Sequence, residues 1–210
     1  MHIAIIGTGN VGSALGKRWG AAGHAVTYGS RHPDSEDTQA LVRDTGPKAS
    51  AASPEEAVQH ADAVLLATPW HATENAVKGL GDLGGKVLID ATNPLAPDLG
   101  GLVVGHDTSG AEEVARWAKG ARVVTAFNST AASNMADADY GGPRPAMFIA
   151  GDDAEAKRAV SDLAEAIGFE AIDSGPLKQA RYLEPLAMLY ITQAYVQGAG
   201  PNIAFALLRR

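Results

Sequence analysis

The feature that most constrains this chain is a glycine run placed directly after its first apolar stretch. Ile3-Ala4-Ile5-Ile6 leads into Gly7-Thr8-Gly9-Asn10-Val11-Gly12, and a helical pattern from Val11 to Ala22 follows. Each glycine has its own physical duty. Gly7 permits a tight turn, Gly9 lets the backbone approach a pyrophosphate, and Gly12 lets helix and strand pack closely, with Gly16 as a further close-packing position. The helix N-terminus then presents free N–H groups and the positive end of its dipole to the negative charge. Alone, such a motif is often accidental; between a strand and a helix it marks a dinucleotide-binding unit.

The rest of the chain keeps the same alternation. Strand-like runs occur at Ala25 to Tyr28, Ala61 to Ala67, Lys86 to Ala91, Ala121 to Phe127, Ala146 to Ala150 and Glu170 to Asp173, with helical patterns between them. The expected fold is therefore α/β: a Rossmann-type, doubly wound, mainly parallel sheet with a C-terminal helical extension. Ser53-Pro54-Glu55-Glu56 reads as a capping box with proline in the first turn, and Asp152 and Asp153 favour a helix start before Ala154 to Ile167. Arg181 to Leu208 reads as a long apolar terminal helical element, in which Pro185 suits only a position near the helix start. With 210 residues, the expected division is a nucleotide-binding domain over 1–175 and, over 176–210, an extension that completes the site or a dimer interface.

An NAD-specific unit carries an acid about 20 residues beyond the glycines, at the end of the second strand, to bind the ribose 2′-hydroxyl. This chain has Tyr28-Gly29-Ser30-Arg31-His32 there. Without the carboxylate a 2′-phosphate meets no repulsion, and Ser30 and Arg31 supply a hydroxyl and a planar guanidinium fork suited to it. NADP(H) is thus the expected nucleotide. His32 is a minor candidate, as readily a plain loop residue as a phosphate contact.

Three further strand ends carry small polar groups on the rim where open α/β sheets collect ligands. Thr68-Pro69-Trp70 is expected beside the ribose and nicotinamide, with Trp70 excluding water; a packed indole is the alternative. Asn93-Pro94 and Asn128, in Asp90 to Leu95 and Ala126 to Thr130, frame a pocket for a second ligand. His71 gets no acid–base role, since hydride passage between rings needs orientation and exclusion of water first. No catalytic side chain is assigned.

Composition removes other classes. The absence of cysteine excludes thiolate catalysis and cysteine-held metal clusters, so redox chemistry needs an added cofactor. A net charge of −7 argues against a nucleic-acid partner. No HExxH or GxSxG motif appears and the six histidines are scattered, so neither a metal site nor a hydrolase is expected. No run approaches the roughly eighteen apolar residues of a membrane span, and no export signal is visible, so a cytoplasmic protein without membrane contact is expected.

Taken together, Ile6 to Gly12, Gly29-Ser30-Arg31, Thr68-Pro69-Trp70 and Asp173-Ser174-Gly175-Pro176-Leu177, leading to Arg181 and Glu184, resemble the NADPH:coenzyme F420 oxidoreductases. That group is similar in turn to the reductase domains of the six-transmembrane epithelial antigen metalloreductases. The resemblance implies that Thr8 to Val11 hold the pyrophosphate, Ser30 and Arg31 the 2′-phosphate, and that Pro69 and Trp70 lie by the nicotinamide. It also implies hydride transfer between NADPH and a planar partner, coenzyme F420 or a flavin. A homodimer follows in the same way, with Leu183, Leu186, Met188, Leu189 and Tyr190 as its apolar surface. Two other readings stand beside it: an imine or keto-acid reductase like the pyrroline-carboxylate reductases, which normally add a larger helical domain, and a non-catalytic NADPH sensor.

Overall fold

The computed structural model describes residues 1–210. Elements run in the order β1 (His2–Ile6), α1 (Asn10–Ala21), β2 (Ala25–Gly29), α2 (Glu36–Thr45), β3 (Ala49–Ala52), α3 (Pro54–Gln59), β4 (Ala63–Leu66), α4 (Trp70–Gly79), β5 (Val87–Asp90), α5 (Gly110–Trp117) and β6 (Arg122–Thr125). They continue through α6 (Ala132–Ala136), β7 (Ala146–Gly151), α7 (Ala154–Glu165), β8 (Glu170–Asp173) and α8 (Ala180–Ile191). The expected helix starts are built as their residues require. Ser53 accepts from the Glu56 N–H while Glu56 reaches back to the Ser53 N–H, and Asp153 accepts from the Ala156 N–H.

One sheet of eight strands carries the chain, in the order β3-β2-β1-β4-β5-β6-β7-β8. Strands β1 to β6 are parallel, β7 runs antiparallel to β6, and β8 is parallel to β7. This is the doubly wound arrangement, with its switch point between β1 and β4. Helices cover both faces, so strand residues of both parities are apolar. Ile3 and Ile5 enter a core with Leu15, Trp19 and Phe127, whereas Ala4 and Ile6 enter a second core with Val64, Leu66, Val77 and Val114. No helix is long and apolar enough to cross a membrane.

Two expectations need correction. Ala49-Ser50-Ala51-Ala52 forms the edge strand β3, paired in register with Val26 to Gly29, although it has no apolar run. Edge pairing to β2 decides its state where intrinsic preference does not. The terminal element is helical only in its first half: α8 passes into a π-turn over Thr192–Val196 and stops at Gly198 and Gly200, both at positive φ, before Pro201. The following segment is irregular and strapped down. Asn134 Nδ2 donates to the carbonyls of Pro201 and Ile203, and the Ala146 N–H donates to that of Phe205.

Candidate functional site

The glycine turn has the geometry its spacing demands. Gly7 stands at φ +112°, and a Cβ there would sit 2.4 Å from the Ala67 carbonyl oxygen. At Gly12 a Cβ would meet the Gly7 carbonyl oxygen at 1.9 Å, so that helix and turn touch backbone to backbone. Gly9 differs: nothing lies within 4 Å of its missing Cβ, and Thr8, Gly9 and Asn10 are all exposed. Val11 anchors the start of α1 on the core below. Gly9 offers α1 no side-chain cap, and no acid stands in the first turn, so the N–H groups there remain available to an anion.

At the end of β2 the expected acid is replaced as the sequence implies. Ser30 is half-buried, its Oγ accepting from the His32 N–H at 3.1 Å. Arg31 and His32 are exposed, and Arg31 enters no ion pair. An unpaired guanidinium at this corner of an acidic chain is electrostatically free to take a phosphate.

The ends of β4, β5 and β6 meet on the same rim. Thr68 Oγ1 lies 2.9 Å from the Thr73 hydroxyl, which donates to the Pro69 carbonyl and fixes the start of α4. Asn93 Nδ2 donates to the Asn128 carbonyl at 2.8 Å, joining the β5 and β6 ends. Phe127, fully buried, is held at φ +64°, where a bulky residue is strained, with its ring edge-on to Trp19 at 5.7 Å. That backbone turn presents Asn128 at the rim. Four buried polar atoms here have no protein partner: Asp90 Oδ2, Asn93 Oδ1, Asn128 Oδ1 and Asn128 Nδ2. Each such group carries a desolvation cost of about 1 to 3 kcal/mol, and the four concentrate at adjacent strand ends.

Trp70 follows the packed alternative on one side while staying half-buried at the start of α4. Its indole packs on Trp117 of α5 with ring centroids 5.5 Å apart. The apolar surface expected for a partner subunit is also redistributed. Leu183 and Tyr190 are buried within their own chain, while Tyr182, Leu189, Tyr195 and Val196 face outward.

Two carboxyl groups were not singled out as functional by sequence pattern. Asp90 is wholly buried at the end of β5, where burial pushes its carboxyl up to about 6 against the opposing hydrogen bonds from the Thr92 N–H and hydroxyl. Glu184 of α8, 2% exposed, accepts from the N–H groups of Gly110 and Ala111, each at 3.0 Å. Burial, reinforced by repulsion from Asp90, raises Glu184 to about 7 despite those bonds. Beside it Arg181 makes a two-bond ion pair with Glu112, both bonds 2.8 Å, which holds the Glu112 carboxyl below its usual range. The only signal for this cluster in the sequence was its membership of the Arg181 and Glu184 motif.

Comparison with known proteins identifies the family. A family model described as "NADP oxidoreductase coenzyme F420-dependent" matches residues 2–94, which contain the glycine turn, the Ser30-Arg31 corner and the β4 rim. The F420-dependent NADP reductase of Methanothermobacter marburgensis is 37% identical over 208 residues, spanning 91% of each chain. The metalloreductase STEAP3 of Rattus norvegicus is 33% identical over 190 residues, covering 89% of this chain and 37% of that protein. A crystal structure of a candidate F420-dependent NADP reductase from Arthrobacter sp. FB24 superposes with a TM-score of 0.88 at 29% identity, covering 99% of both chains. With fold, rim and relatives in agreement, the chain belongs to the coenzyme F420-dependent NADP oxidoreductases, a family of oxidoreductase enzymes.

Proposed function

We propose that this protein transfers a hydride between NADPH and a planar redox partner, a deazaflavin of the coenzyme F420 type or a flavin. The observation that carries the reading is the pairing of an unobstructed Gly9 with an Arg31 that has no ion-pair partner, where an NAD-selective chain would place an acid. The residues fit the dinucleotide from end to end. Ser30 and Arg31, with His32 at their edge, would bind the 2′-phosphate. Gly7 to Gly12, including the Thr8, Asn10 and Val11 backbone, would bind the pyrophosphate. Thr68, Pro69, Asn93, Pro94 and Asn128 would take the nicotinamide end, the Trp70 indole serving there as packing for α4. When bound, the nucleotide supplies the hydride.

The chain's own residues orient and desolvate. Asn128 carries an unpartnered donor and acceptor, and Asn93 an unpartnered acceptor, a set complementary to a carboxamide. Holding two rings in register in a site that excludes water supplies most of the rate, so no side chain is given an acid–base role. We further read residues 1–175 as the nucleotide-binding unit and 176–210 as an extension serving the site or a homodimer. The outward Tyr182, 73% exposed, and Val196, 69% exposed, are the apolar surface that supports the dimer.

The test is an acceptor screen. Purified protein is mixed with NADPH, and the nicotinamide absorbance is followed as coenzyme F420, FMN, FAD or a ferric chelate is added in turn. Rapid oxidation is expected with the deazaflavin or a flavin. Tight NADPH binding with no oxidation by any acceptor would leave a nucleotide sensor and overturn the reading.

A further inference from the structure

Of the buried groups left without a role by hydride transfer, Glu184 is the one tied by geometry to the rim. It lies on α8, 74 residues beyond the start of α5, yet its two oxygens accept from the first two N–H groups of that helix. A local cap cannot satisfy all of these orphan donors. Ser109 takes only the Glu112 N–H, at 3.2 Å, and Glu184 takes the pair that remains. The same junction touches the rim: a Cβ at Gly110 would meet the Pro94 ring at 3.1 Å and Glu184 Oε1 at 3.2 Å, so Pro94, the helix N-terminus and the carboxylate are packed together with no spare space. One residue earlier, Asn93 bridges to Asn128. Two residues before Thr92 lies Asp90, whose Oδ1 fixes the Thr92 N–H and whose buried Oδ2 is unpartnered.

We propose that Glu184 is a positioning residue: by holding the N-terminus of α5 against Pro94, it fixes the Asn93 and Asn128 side chains that receive the nicotinamide end of the dinucleotide. The inference rests on the cofactor reading above and gives the C-terminal extension a definite task within its own subunit. The Arg181–Glu112 ion pair is a second fastener one turn away; it aligns α8 along α5 but touches neither Pro94 nor the first two N–H groups. The glycine turn follows β1 and Arg31 follows β2, outside this chain of contacts. Glu184 therefore acts on one half of the nucleotide site alone.

The experiment compares wild type with Glu184→Gln, which keeps one acceptor oxygen and loses the other, and with Glu184→Ala, which loses both. Two ligands separate the halves: NADPH, and adenosine 2′,5′-bisphosphate, which has the 2′-phosphate but no nicotinamide. Loss of one charged hydrogen bond predicts an approximately tenfold fall in NADPH affinity and in hydride-transfer rate for Glu184→Gln, with a larger fall for Glu184→Ala and bisphosphate affinity within about twofold of wild type. Hydrogen exchange on the ligand-free proteins gives a readout independent of nucleotide. Exchange should quicken at 91–95, 109–113 and 126–130 and stay unchanged at 7–13. Equal weakening of both ligands, or unchanged exchange at 91–95 and 126–130 in Glu184→Gln, would overturn the proposal. Failure of wild type to bind NADPH would overturn the cofactor reading instead, the exchange data still deciding whether Glu184 holds the rim.

Discussion

The two halves of the proposed nucleotide site are built from different materials. The half formed by β1, α1 and β2 is made of backbone: glycines at Gly7 and Gly12 bring chain segments into contact, Gly9 leaves open space, and one free guanidinium stands at the corner. The half formed at the ends of β4, β5 and β6 is made of side chains, strained at Phe127, unpartnered at Asn128, and held from a distance by Glu184. Backbone recognition suits a pyrophosphate, which is common to all dinucleotides. Side-chain recognition suits the end where chemistry and substrate choice differ. The first half costs the fold little beyond glycine entropy, whereas the second keeps desolvated carboxyl and amide groups in place.

The glycines give the largest effects that can break this comparison. Gly12→Ala places a methyl carbon against the Gly7 carbonyl and should cost more than about 3 kcal/mol of folding stability in denaturant titration, nucleotide binding being lost with it. Gly9→Ala meets nothing in the protein and should leave stability within about 0.5 kcal/mol, while NADPH affinity falls at least about tenfold because the pyrophosphate must approach that position. Equal destabilisation by the two substitutions would remove the distinction between packing and ligand glycines.

Asp90 gives the next effect, on the other half. Its folded-state pKa, about 6, lies above the ordinary value of 3.8 because burial disfavours the anion. A raised carboxyl contributes stability that is fully present below the unfolded pKa and is lost as pH rises through the folded one. Between about pH 4 and pH 7 this loss is on the order of 3 kcal/mol. Asp90→Asn should abolish that share, so the stability difference between variant and wild type should grow in the variant's favour as pH rises through 6. Glu184, raised to about 7, gives a similar slope that persists in Asp90→Asn. A pH-independent difference would show that the buried carboxyl carries no such cost.

The same division explains what was legible in the sequence. Gly7-Thr8-Gly9-Asn10-Val11-Gly12 and Ser30-Arg31 act through local backbone geometry and a nearby charge, and local pattern reports both. The parallel sheet was legible for the same reason, since buried strands are short apolar runs between helices. Edge strand β3 was not, because Ala49 to Ala52 take their state from β2 and not from their own composition. The end of the terminal helix is not legible either, because apolar residues continue past the glycines that stop it. The task of Glu184 depends on a contact across 73 residues, and the resting place of the Trp70 indole depends on Trp117 of another helix, relations that spacing along the chain does not encode.

The central claim, that the backbone-built half selects NADP(H) through Arg31, is tested most directly by measuring the affinities of wild type and Arg31→Ala for NADPH and NADH by calorimetry. Loss of charge-assisted bonds to the 2′-phosphate predicts a roughly 10- to 100-fold weakening of NADPH and a change of less than about twofold for NADH. Equal losses for the two nucleotides, or none for NADPH, would contradict it.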